Sequence, residues 1–290
     1  MRRFDFLKRA AAALRAHGRD ENIGEILLQA RLGISRTAML ADSGAPLPEE
    51  DVRWLEAHVH AHIFEGIPVQ YMLKEAPFFG RSFTVNADVL IPRQETEELV
   101  YRVGVWTARY FPVEAALNVC DIGTGSGAIA VTLALEHPAW HVTATDVSGE
   151  ALNVARMNAR RLGAALTFEQ GSFTVPLVSR SFDVLVSNPP YISAQAMAEL
   201  PDTVKNFEPH LALHGGADGL DAYRQIIAGI AGMMGQRAYF IAAFEIGADQ
   251  GTAVAELLRH RFASAIVELA VEKDIAGLER NVIAVLRTGH

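Results

Sequence analysis

The chain has 290 residues, of which 50% are hydrophobic, and it carries a formal net charge of −8 at pH 7. This length accommodates one large domain and a small one, and the acidic balance argues against nucleic acid as a direct partner, since nucleic-acid binders usually present a basic surface. Cys120 is the single cysteine, so the sequence excludes an internal disulfide and a cysteine-rich zinc site and suits a reducing cytosol.

The first residues form an amphipathic pattern and not a secretory signal. Lys8, Arg9 and Arg15 interrupt the apolar runs, whereas a signal peptide needs an unbroken one. No uncharged apolar stretch of the sequence approaches the ~20 residues that span a bilayer. The sequence therefore predicts a soluble, cytoplasmic protein with no membrane partner.

Helical periodicity extends over residues 1–72 and predicts a small helical domain. The helical segments are expected around residues 4–16, 23–32, 35–41 and 51–72. Strand-forming residues with turn signals then occupy residues 77–92. We interpret residues 73–92 as a β-hairpin linker between two domains. A helix from Glu95 to about Tyr110 should follow it.

Strands and helices alternate from residue 117 onward. Such alternation predicts an α/β fold in which a mostly parallel, seven-stranded sheet has helices on both faces. The last two strands have no helix between them and should pair antiparallel. The expected result is a Rossmann-like domain over residues 93–290. Its predicted strands cover 117–121, 141–146, 166–170, 182–187, 238–245, 265–270 and 281–286, and its predicted helices cover 127–136, 148–162, 217–234 and 249–260.

A glycine-rich turn follows the strand that ends at Asp121. Glycines let the backbone approach a ligand closely, and the next helix offers free N–H groups. Dehydrogenases that bind dinucleotides use a similar loop, but the spacing G-x-G-x-G favours S-adenosylmethionine. Asp121 agrees, because it would attract the cationic amino group of a methionine moiety and repel a pyrophosphate. The predicted cofactor loop comprises Gly123, Thr124, Gly125, Ser126 and Gly127.

Two cofactor contacts are predicted after later strands. Asp146 ends the second strand, about 20 residues past the loop, where an acid can accept hydrogen bonds from both ribose hydroxyls. The alternative role of Asp146, a cap for the next helix, is filled more naturally by Ser148. Phe173 follows the third strand and either stacks on adenine or is a core aromatic residue.

The motif Asn188-Pro189-Pro190-Tyr191 follows the fourth strand. Ligands bind at the carboxyl ends of the strands in a parallel sheet, so this motif should lie beside the glycine loop. The prolines stiffen the turn and leave their carbonyl groups free of local donors. The motif therefore predicts a rigid set of acceptors next to the cofactor.

An amide nitrogen explains these residue types, because its lone pair is delocalised and makes it a poor nucleophile. The Asn188 side-chain oxygen and the Pro189 carbonyl would accept hydrogen bonds from its N–H groups and favour charge on nitrogen as a methyl group arrives. Tyr191 would cover the planar group. Catalysis would then rest on positioning and preorganised dipoles. We predict Asn188, Pro189 and Tyr191 as the catalytic residues.

Enzymes that methylate exocyclic amino groups of adenine use the same motif, so the motif alone leaves the substrate polymer open. The sequence as a whole resembles the PrmC/HemK family, the peptide chain release factor glutamine N5-methyltransferases. The resemblance covers nearly the whole chain. Besides the glycine loop and the Asn-Pro-Pro-Tyr motif, it includes residues 36–37, 66–71, 79–80, 83–85, 90–97, 207–209, 211–213, 215–216, 218–221, 223–224, 245–247, 250 and 273–280.

This resemblance implies a class I methyltransferase fold and the use of S-adenosyl-L-methionine, with S-adenosyl-L-homocysteine as product. It implies that the substrate is the glutamine of the Gly-Gly-Gln loop in class-I peptide chain release factors, and that the helical domain helps to bind the release factor. By position, the glycine loop, Asp146, Phe173 and Asn188 would contact the cofactor. The glutamine would be held by Asn188, Pro189, Pro190 and Tyr191.

The segment after the hairpin adds charged candidates. Arg93, Glu95 and Glu97 either line the substrate site or form an interdomain salt-bridge cluster. We include Arg93 and Glu95 among the predicted substrate-binding residues. The chain also departs from many relatives at two places. Ser172 stands where an acid would accept from the adenine amino group, and Lys74 stands where many relatives have glycine in a turn.

Three other functions remain as alternatives. A ribosomal-protein glutamine methyltransferase has the same chemistry, but the helical domain and the Pro-Arg-Gln-Glu-Thr-Glu segment favour the release factor. A nucleic-acid adenine methyltransferase would need a basic surface, and a nicotinamide oxidoreductase would leave the Asn-Pro-Pro-Tyr motif unexplained. We expect no metal, although His58 and His62 share a helix face, and we expect a monomer.

Overall fold

The computed structural model describes residues 1–288, which form two compact units. The first unit comprises Met1–Lys74 together with Pro201–Phe207, and the second comprises Glu75–Leu200 and the residues from Glu208 onward. The chain therefore leaves the second unit once, after residue 200, and re-enters it at residue 208. No sequence signal indicated that residues 201–207 would group with the helical residues.

The first unit is helical because its apolar residues recur at helical spacing, as Phe6, Ala10 and Leu14 do on the buried face of the first helix. These helices pack around a shared core in which Leu14, Leu27 and Leu55 are fully buried. The helices of this core are α1 (Arg3–Ala16), α2 (Ile23–Leu32), α3 (Arg36–Ala41), α4 (Glu49–His60) and α5 (Val69–Leu73). The returning segment adds a short helix, α9 (Asp202–Lys205), that contributes no buried residue.

The expectation of one helical segment over residues 51–72 is wrong in its middle. After α4 the chain forms a single π-helical turn, Ala61–Glu65, and Gly66 then adopts a left-handed conformation with φ of 76°. Pro68, which lacks an N–H group, precedes α5. Lys74 ends α5 with φ of 59°, so the turn keeps its left-handed backbone although lysine replaces the usual glycine. Such a conformation costs a non-glycine residue roughly 1 kcal/mol.

The second unit begins with a β-hairpin of β1 (Glu75–Phe78) and β2 (Arg81–Thr84). The predicted extent of the hairpin, residues 77–92, is wrong, because residues 85–93 form no strand. The Val89 amide donates to the Asn86 carbonyl in a turn, and the Ile91 amide donates to the Glu208 carboxylate at 3.3 Å. These amides are therefore used by a turn and a side chain and not by a strand partner.

A seven-stranded sheet forms the centre of the second unit. Its strands are β3 (Asn118–Ile122), β4 (His141–Asp146), β5 (Thr167–Gln170), β6 (Val184–Ser187), β7 (Tyr239–Glu245), β8 (Ile266–Lys273) and β9 (Glu279–Arg287). The spatial order is β5-β4-β3-β6-β7-β9-β8. Strands β3 to β7 pair in parallel, and β9 pairs antiparallel with both β7 and β8. The predicted fold class and the antiparallel final pair are confirmed.

The predicted helices of the second unit form in the predicted order. They are α6 (Gln94–Tyr110), α7 (Ala128–Glu136), α8 (Gly149–Leu162), α11 (Asp221–Gly229) and α12 (Gly251–Phe262). The short helix α10 (His210–Leu213) was not predicted. The helix predicted over 217–234 is shorter than expected. It begins only at Asp221 because Gly216 and Gly219, with φ of 92° and 78°, form a turn before it.

Both faces of the sheet are buried. Along β3, Val119 belongs to one core cluster, whereas Cys120 and Ile122 belong to the other, as the alternation of side chains in a strand requires. Cys120 is fully buried. With both faces covered, the carboxyl ends of the strands are the edge left for a ligand. None of the helices within residues 1–288 is long and apolar enough to cross a membrane.

Candidate functional site

A cavity of about 510 Å³ lies at the carboxyl ends of β3, β4, β5 and β6. Its walls come from the loops that follow these strands, from the residues after the hairpin and from the region of α10 and α11. Of the predicted site residues, the cavity brings together Gly123, Gly125, Asp146, Phe173, Asn188 and Pro190. The predicted residues outside its wall are Asp121, Thr124, Ser126, Gly127, Pro189, Tyr191, Arg93 and Glu95.

The glycine loop connects β3 to α7 with its backbone facing the cavity. Gly123 and Gly125 have φ of 73° and 55°, which glycine adopts without strain. The amides of Gly123 and Thr124 donate to the Thr145 carbonyl at 2.9 and 2.8 Å, so β4 holds the loop in place. A Cβ atom added at either glycine would meet no other part of the protein within 4 Å. Such a side chain would therefore occupy space that is open to a ligand.

The other loop residues shape the loop from behind. A Cβ atom at Gly127 would lie 3.1 Å from the Cβ of Ala155, so glycine here permits close packing of α7 against α8. Thr124 and Ser126 are buried. The Ser126 carbonyl accepts from the Asn158 side-chain amide at 2.9 Å. These residues support the loop and leave the cavity wall to Gly123 and Gly125.

Asp121 is fully buried at the end of β3. Its Oδ2 accepts from the Thr124 hydroxyl at 2.6 Å and from the Ala130 amide at 3.2 Å. Its Oδ1 has no hydrogen-bond partner among the described residues. Burial raises the pKa of Asp121 to about 7, although the bond from Thr124 opposes this shift. The carboxyl group therefore lies beneath the loop, with one oxygen in need of a donor.

The raised pKa of Asp121 predicts a pH-dependent stability. A carboxyl group whose pKa is higher in the folded state stabilises the fold below its ordinary pKa of 3.8, and this contribution is lost as the pH rises through about 7. Asp121→Asn keeps an acceptor for Thr124 and removes the charge. In urea unfolding, we expect the advantage of the variant over wild type to grow by on the order of 2 kcal/mol between pH 5 and pH 8. A constant difference would contradict the raised pKa.

Asp146 ends β4 in the wall of the cavity. Its Oδ2 accepts from the Gly125 amide and its Oδ1 from the Ser148 amide, both at 2.9 Å. Each carboxylate oxygen has further acceptor capacity, so both can still accept from a diol. Burial raises the pKa of Asp146 despite these hydrogen bonds. The Ser148 hydroxyl caps α8 by accepting from the Ala151 amide at 3.1 Å.

Phe173 and Ser172 form the wall of the cavity after β5. Phe173 has φ of 46°, a conformation that is uncommon for a residue with a side chain and that recurs at functional sites. Its ring also packs against the core cluster on one face of the sheet. Phe173 thus combines the two roles that the sequence left open, a core contact and a place beside the ligand. Ser172 is exposed.

Asn188 lines the cavity directly after β6. Its Nδ2 donates one hydrogen bond to the Thr96 hydroxyl at 3.2 Å, so Thr96 contacts the amide nitrogen of Asn188 and not its Oδ1. Pro190 also lines the cavity, whereas Pro189 is buried and Tyr191 is half-buried against the core. The structure therefore places the motif beside the glycine loop, as expected from the strand order.

Irregular backbone holds the Asn-Pro-Pro-Tyr motif from its far side. The Ile192 amide donates to the Leu213 carbonyl at 2.9 Å, and the Gly215 amide donates to the Ile192 carbonyl at 2.8 Å. A Cβ atom at Gly215 would lie 2.7 Å from the Pro190 carbonyl oxygen. Only glycine fits this approach, so residues 213–215 pack closely against Pro190 and bond the residue that follows the motif.

Tyr191 stays a neutral phenol. Burial raises the pKa of Tyr191 to about 12, and the nearby carboxyl of Glu245 acts in the same direction. A group with this pKa keeps its proton near neutral pH. Tyr191 is therefore unsuited to act as a general base, which agrees with a mechanism that rests on positioning.

The charged residues at the start of α6 make local contacts. The Arg93 guanidinium pairs with the buried Glu208 carboxylate at 2.5 Å, and both residues belong to the second unit. Glu97 accepts from the Phe79 amide at 2.9 Å and so holds the hairpin turn. Glu95 is exposed. The Arg93 pair is thus not an interdomain salt bridge, and substrate contacts of Arg93 and Glu95 stay predictions.

Several parts of the cavity wall were not singled out from the sequence. Most of them are apolar residues or glycines, which carry no polar side-chain group by which a site is recognised. Some of them, such as Leu90, Pro209 and Gly215, lie in segments that resemble the family, which pointed to the segments without giving them a role. The wall residues concerned are Ala87, Asp88, Val89, Leu90, Val147, Glu150, Ala151, Gly171, Pro209, Leu211, Ala212, His214, Gly215, Gly216, Asp221, Ala222 and Gln225.

The helical histidines are engaged in local contacts. Nδ1 of His58 lies 2.8 Å from the Trp54 carbonyl oxygen, and the two rings stack at 3.6 Å. Nδ1 of His62 lies 2.8 Å from the Ile67 carbonyl oxygen. Within residues 1–288, no group of three histidine, cysteine or acidic side chains is arranged to hold a metal ion. The absence of a metal stays a prediction.

The residues of the cavity fit S-adenosylmethionine. The glycine loop leaves open space over its backbone, Asp146 retains acceptor capacity for a ribose, and Phe173 offers an aromatic wall. The volume of about 510 Å³ lies within the range of small-molecule sites. These observations agree with a methyltransferase site.

Two family models match the chain. The PrmC N-terminal domain matches residues 5–73, and the methyltransferase small domain matches residues 107–210. The release factor glutamine methyltransferase of Bacillus subtilis (strain 168) is 44% identical over 98% of this chain and 97% of its own length. That of Bacillus cereus is 45% identical over 98% and 99%.

A solved methyltransferase from Pyrococcus furiosus covers 84% of this chain and 100% of its own, with a TM-score of 0.51 and 17% identity. At this identity the likeness shows the shared fold alone. The sequence identity with the Bacillus proteins extends over nearly the full length of both chains, so it includes the helical unit as well as the sheet. The resemblance predicted from the sequence is confirmed, and the chain belongs to the release factor glutamine methyltransferase family.

Proposed function

We propose that this protein transfers the methyl group of S-adenosyl-L-methionine to N5 of the glutamine in the Gly-Gly-Gln motif of class-I peptide chain release factors. The substrate is suggested by the names of its relatives, release factor glutamine methyltransferases. The observation that carries the chemistry is the position of Asn188, whose side-chain oxygen is available in the same cavity as the glycine loop.

The cofactor supplies an electrophilic methyl group on a sulfonium ion. The chain supplies acceptors for the attacking amide. Asn188 Oδ1 and the Pro189 carbonyl accept the two N–H bonds of the glutamine side chain, which orients its nitrogen and stabilises the positive charge that develops there. The proton is lost after the methyl group arrives, because the alkylated nitrogen is strongly acidic, so no side chain needs to act as a strong base.

The remaining residues place the two substrates. Asp146 accepts from the ribose hydroxyls, Phe173 lies against the adenine, and Asp121 contributes negative charge near the methionine moiety. Tyr191 covers the glutamine amide as a neutral phenol. The helical unit contributes to recognition of the release factor, whose larger surface cannot be held by a cavity of this size.

A methyl-transfer experiment with matched substrates tests this function. The protein is incubated with methyl-tritiated S-adenosyl-L-methionine and a purified release factor, and in parallel with the same factor carrying Gly-Gly-Ala. We expect label on the first protein alone, with mass spectrometry placing one methyl group on the glutamine. Equal label on both factors, or no label on either, would reject the proposal.

The setting of the enzyme follows from this substrate. Release factors act on cytoplasmic ribosomes, so we place the enzyme in the cytoplasm, acting as a monomer and without direct contact to nucleic acid. The acidic net charge of −8 supports the last point. A methylated release factor is the product that leaves the enzyme, together with S-adenosyl-L-homocysteine.

A further inference from the structure

The Thr96 hydroxyl connects the side chains of Asn188 and Glu245. Thr96 is buried in the first turn of α6, and Glu245 is buried at the end of β7. The hydroxyl donates to Oε2 of Glu245 at 2.6 Å and accepts from Nδ2 of Asn188 at 3.2 Å. Neither Thr96 nor Glu245 lines the cavity, and the mechanism above gives neither of them a role.

The direction of these hydrogen bonds follows from the chemistry of the Glu245 carboxylate. An ionised carboxylate only accepts hydrogen bonds, so the one hydroxyl proton of Thr96 points to Glu245. A lone pair of the Thr96 oxygen then faces Asn188, which must present its NH₂ group. This turns Oδ1 of Asn188 away from Thr96. These hydrogen bonds, which run from Glu245 through Thr96 to Asn188, form a relay. The relay selects one of the two orientations that the Asn188 carboxamide can adopt.

We propose that Thr96 and Glu245 are positioning residues that hold the Asn188 carboxamide with its oxygen towards the substrate. This inference rests on the proposed function and deepens it. In the reversed orientation, an NH₂ donor of Asn188 would face the NH₂ group of the glutamine, and the reacting nitrogen would lose an acceptor. Loss of one such group typically lowers the rate by about 10²–10³-fold.

Several charged groups face Glu245. Burial raises the pKa of Glu245 to about 7; the hydrogen bond from Thr96 and the charges of Arg280, on β9, and Arg93, at the start of α6, act to lower it, and Glu95 acts to raise it. Two phenols also face Glu245, and both are neutral: burial raises the pKa of Tyr191 to about 12 and that of Tyr223 well above its ordinary value. Glu245 therefore changes its protonation state near neutral pH.

When Glu245 is protonated, the Asn188 carboxamide is no longer restricted to one orientation. The neutral carboxyl group can donate to Thr96, whose own proton is then free to point to Oδ1 of Asn188 and favour the reversed carboxamide. We therefore expect kcat of the wild type to rise with pH through one ionisation near neutrality. In Glu245→Gln, whose amide can donate or accept at any pH, this rise should be absent.

Kinetics of two Thr96 variants separate positioning from packing. Thr96→Val keeps the shape and removes the hydroxyl, and we expect kcat to fall at least about tenfold while KM for the release factor changes less than about threefold. Thr96→Ser keeps the hydroxyl and should stay within about threefold of wild type. In an Asn188→Ala background, Thr96→Val should add no further loss, because residues that act as a unit are not additive.

Opposite results would overturn the inference. If Thr96→Ser lost as much activity as Thr96→Val, the contribution of Thr96 to turnover would come from its methyl group and not from its hydroxyl. If Thr96→Val cut kcat as strongly in the Asn188→Ala background as in the wild type, Thr96 would act independently of Asn188. A wild-type pH profile that is unchanged in Glu245→Gln would remove Glu245 from the relay.

A second readout needs no methyl transfer. In protein labelled with ¹⁵N-asparagine, the side-chain NH₂ signals of Asn188 are assigned by their loss in Asn188→Ala. We expect them to shift with pH in the wild type and to stay fixed in Glu245→Gln. If the release factor is not methylated but these signals titrate, the proposed function fails and the relay stands. If methylation occurs but the signals ignore both pH and Thr96→Val, the relay fails and the function stands.

Discussion

Asn188→Ala is expected to lower kcat for methyl transfer by about a hundredfold or more, the loss typical of a group that stabilises a transition state. Asn188 lines the cavity, and its Oδ1 is the side-chain acceptor that we propose for the glutamine N–H, because its Nδ2 donates to Thr96. Asp146 and the glycine loop, which we propose to bind the cofactor, are untouched. Affinity for S-adenosyl-L-methionine, measured by calorimetry, should therefore stay within about fivefold of wild type.

Asn153→Ala is the matched control for this variant. Asn153 is exposed on α8 and does not line the cavity, so its replacement should leave kcat unchanged. Wild-type turnover in Asn188→Ala would exclude Asn188 from the mechanism. Loss of cofactor binding with turnover unchanged at saturation would instead make it a cofactor ligand only.

Gly219→Ala is expected to destabilise the protein by about 3 kcal/mol and to lower turnover of the folded enzyme at least about tenfold. Gly219 has φ of 78°, and a Cβ atom there would lie 2.3 Å from the Tyr191 carbonyl oxygen and 2.6 Å from Nε2 of Gln250. That nitrogen donates to the carbonyl groups of Tyr191 and Gly219 at 3.0 and 3.3 Å. The added methyl group must therefore displace backbone of the Asn-Pro-Pro-Tyr motif.

Gly277→Ala separates backbone strain from this collision. Gly277 has φ of 82°, but a Cβ atom there would meet nothing within 4 Å. We expect it to cost about 1 kcal/mol in urea unfolding and to leave kcat unchanged. If the two glycine variants lost stability equally and both kept full turnover, the contact between Gly219 and the motif would not contribute to catalysis.

The sheet could be predicted from the sequence because its strands are apolar runs bounded by turn residues. The predicted segments 141–146 and 182–187 correspond to β4 (His141–Asp146) and β6 (Val184–Ser187). Errors arose where a distant group determines local structure. The Ile91 amide, within a predicted strand, is bonded to a carboxylate 117 residues away, and no local pattern reports such a contact.

The candidate site was predictable where its residues are contiguous in the sequence. The glycine loop and the Asn-Pro-Pro-Tyr motif are contiguous and follow strands, so their residue types and positions indicate their place at the edge of the sheet. The support of Asn188 is not contiguous. Thr96 lies 92 residues from Asn188 and 149 residues from Glu245 in the chain. Only the fold brings these three side chains together.

The helical unit is assembled from two separate stretches of chain. The guanidinium of Arg19 binds both carboxylate oxygens of Asp202, at 2.6 and 2.7 Å, and a Cβ atom at Gly66 would lie 3.1 Å from the same carboxylate. A fragment cut at residue 74 would thus lose native contacts of its own unit. Chimeras that exchange the helical unit between relatives must transplant residues 201–207 along with the N-terminal segment.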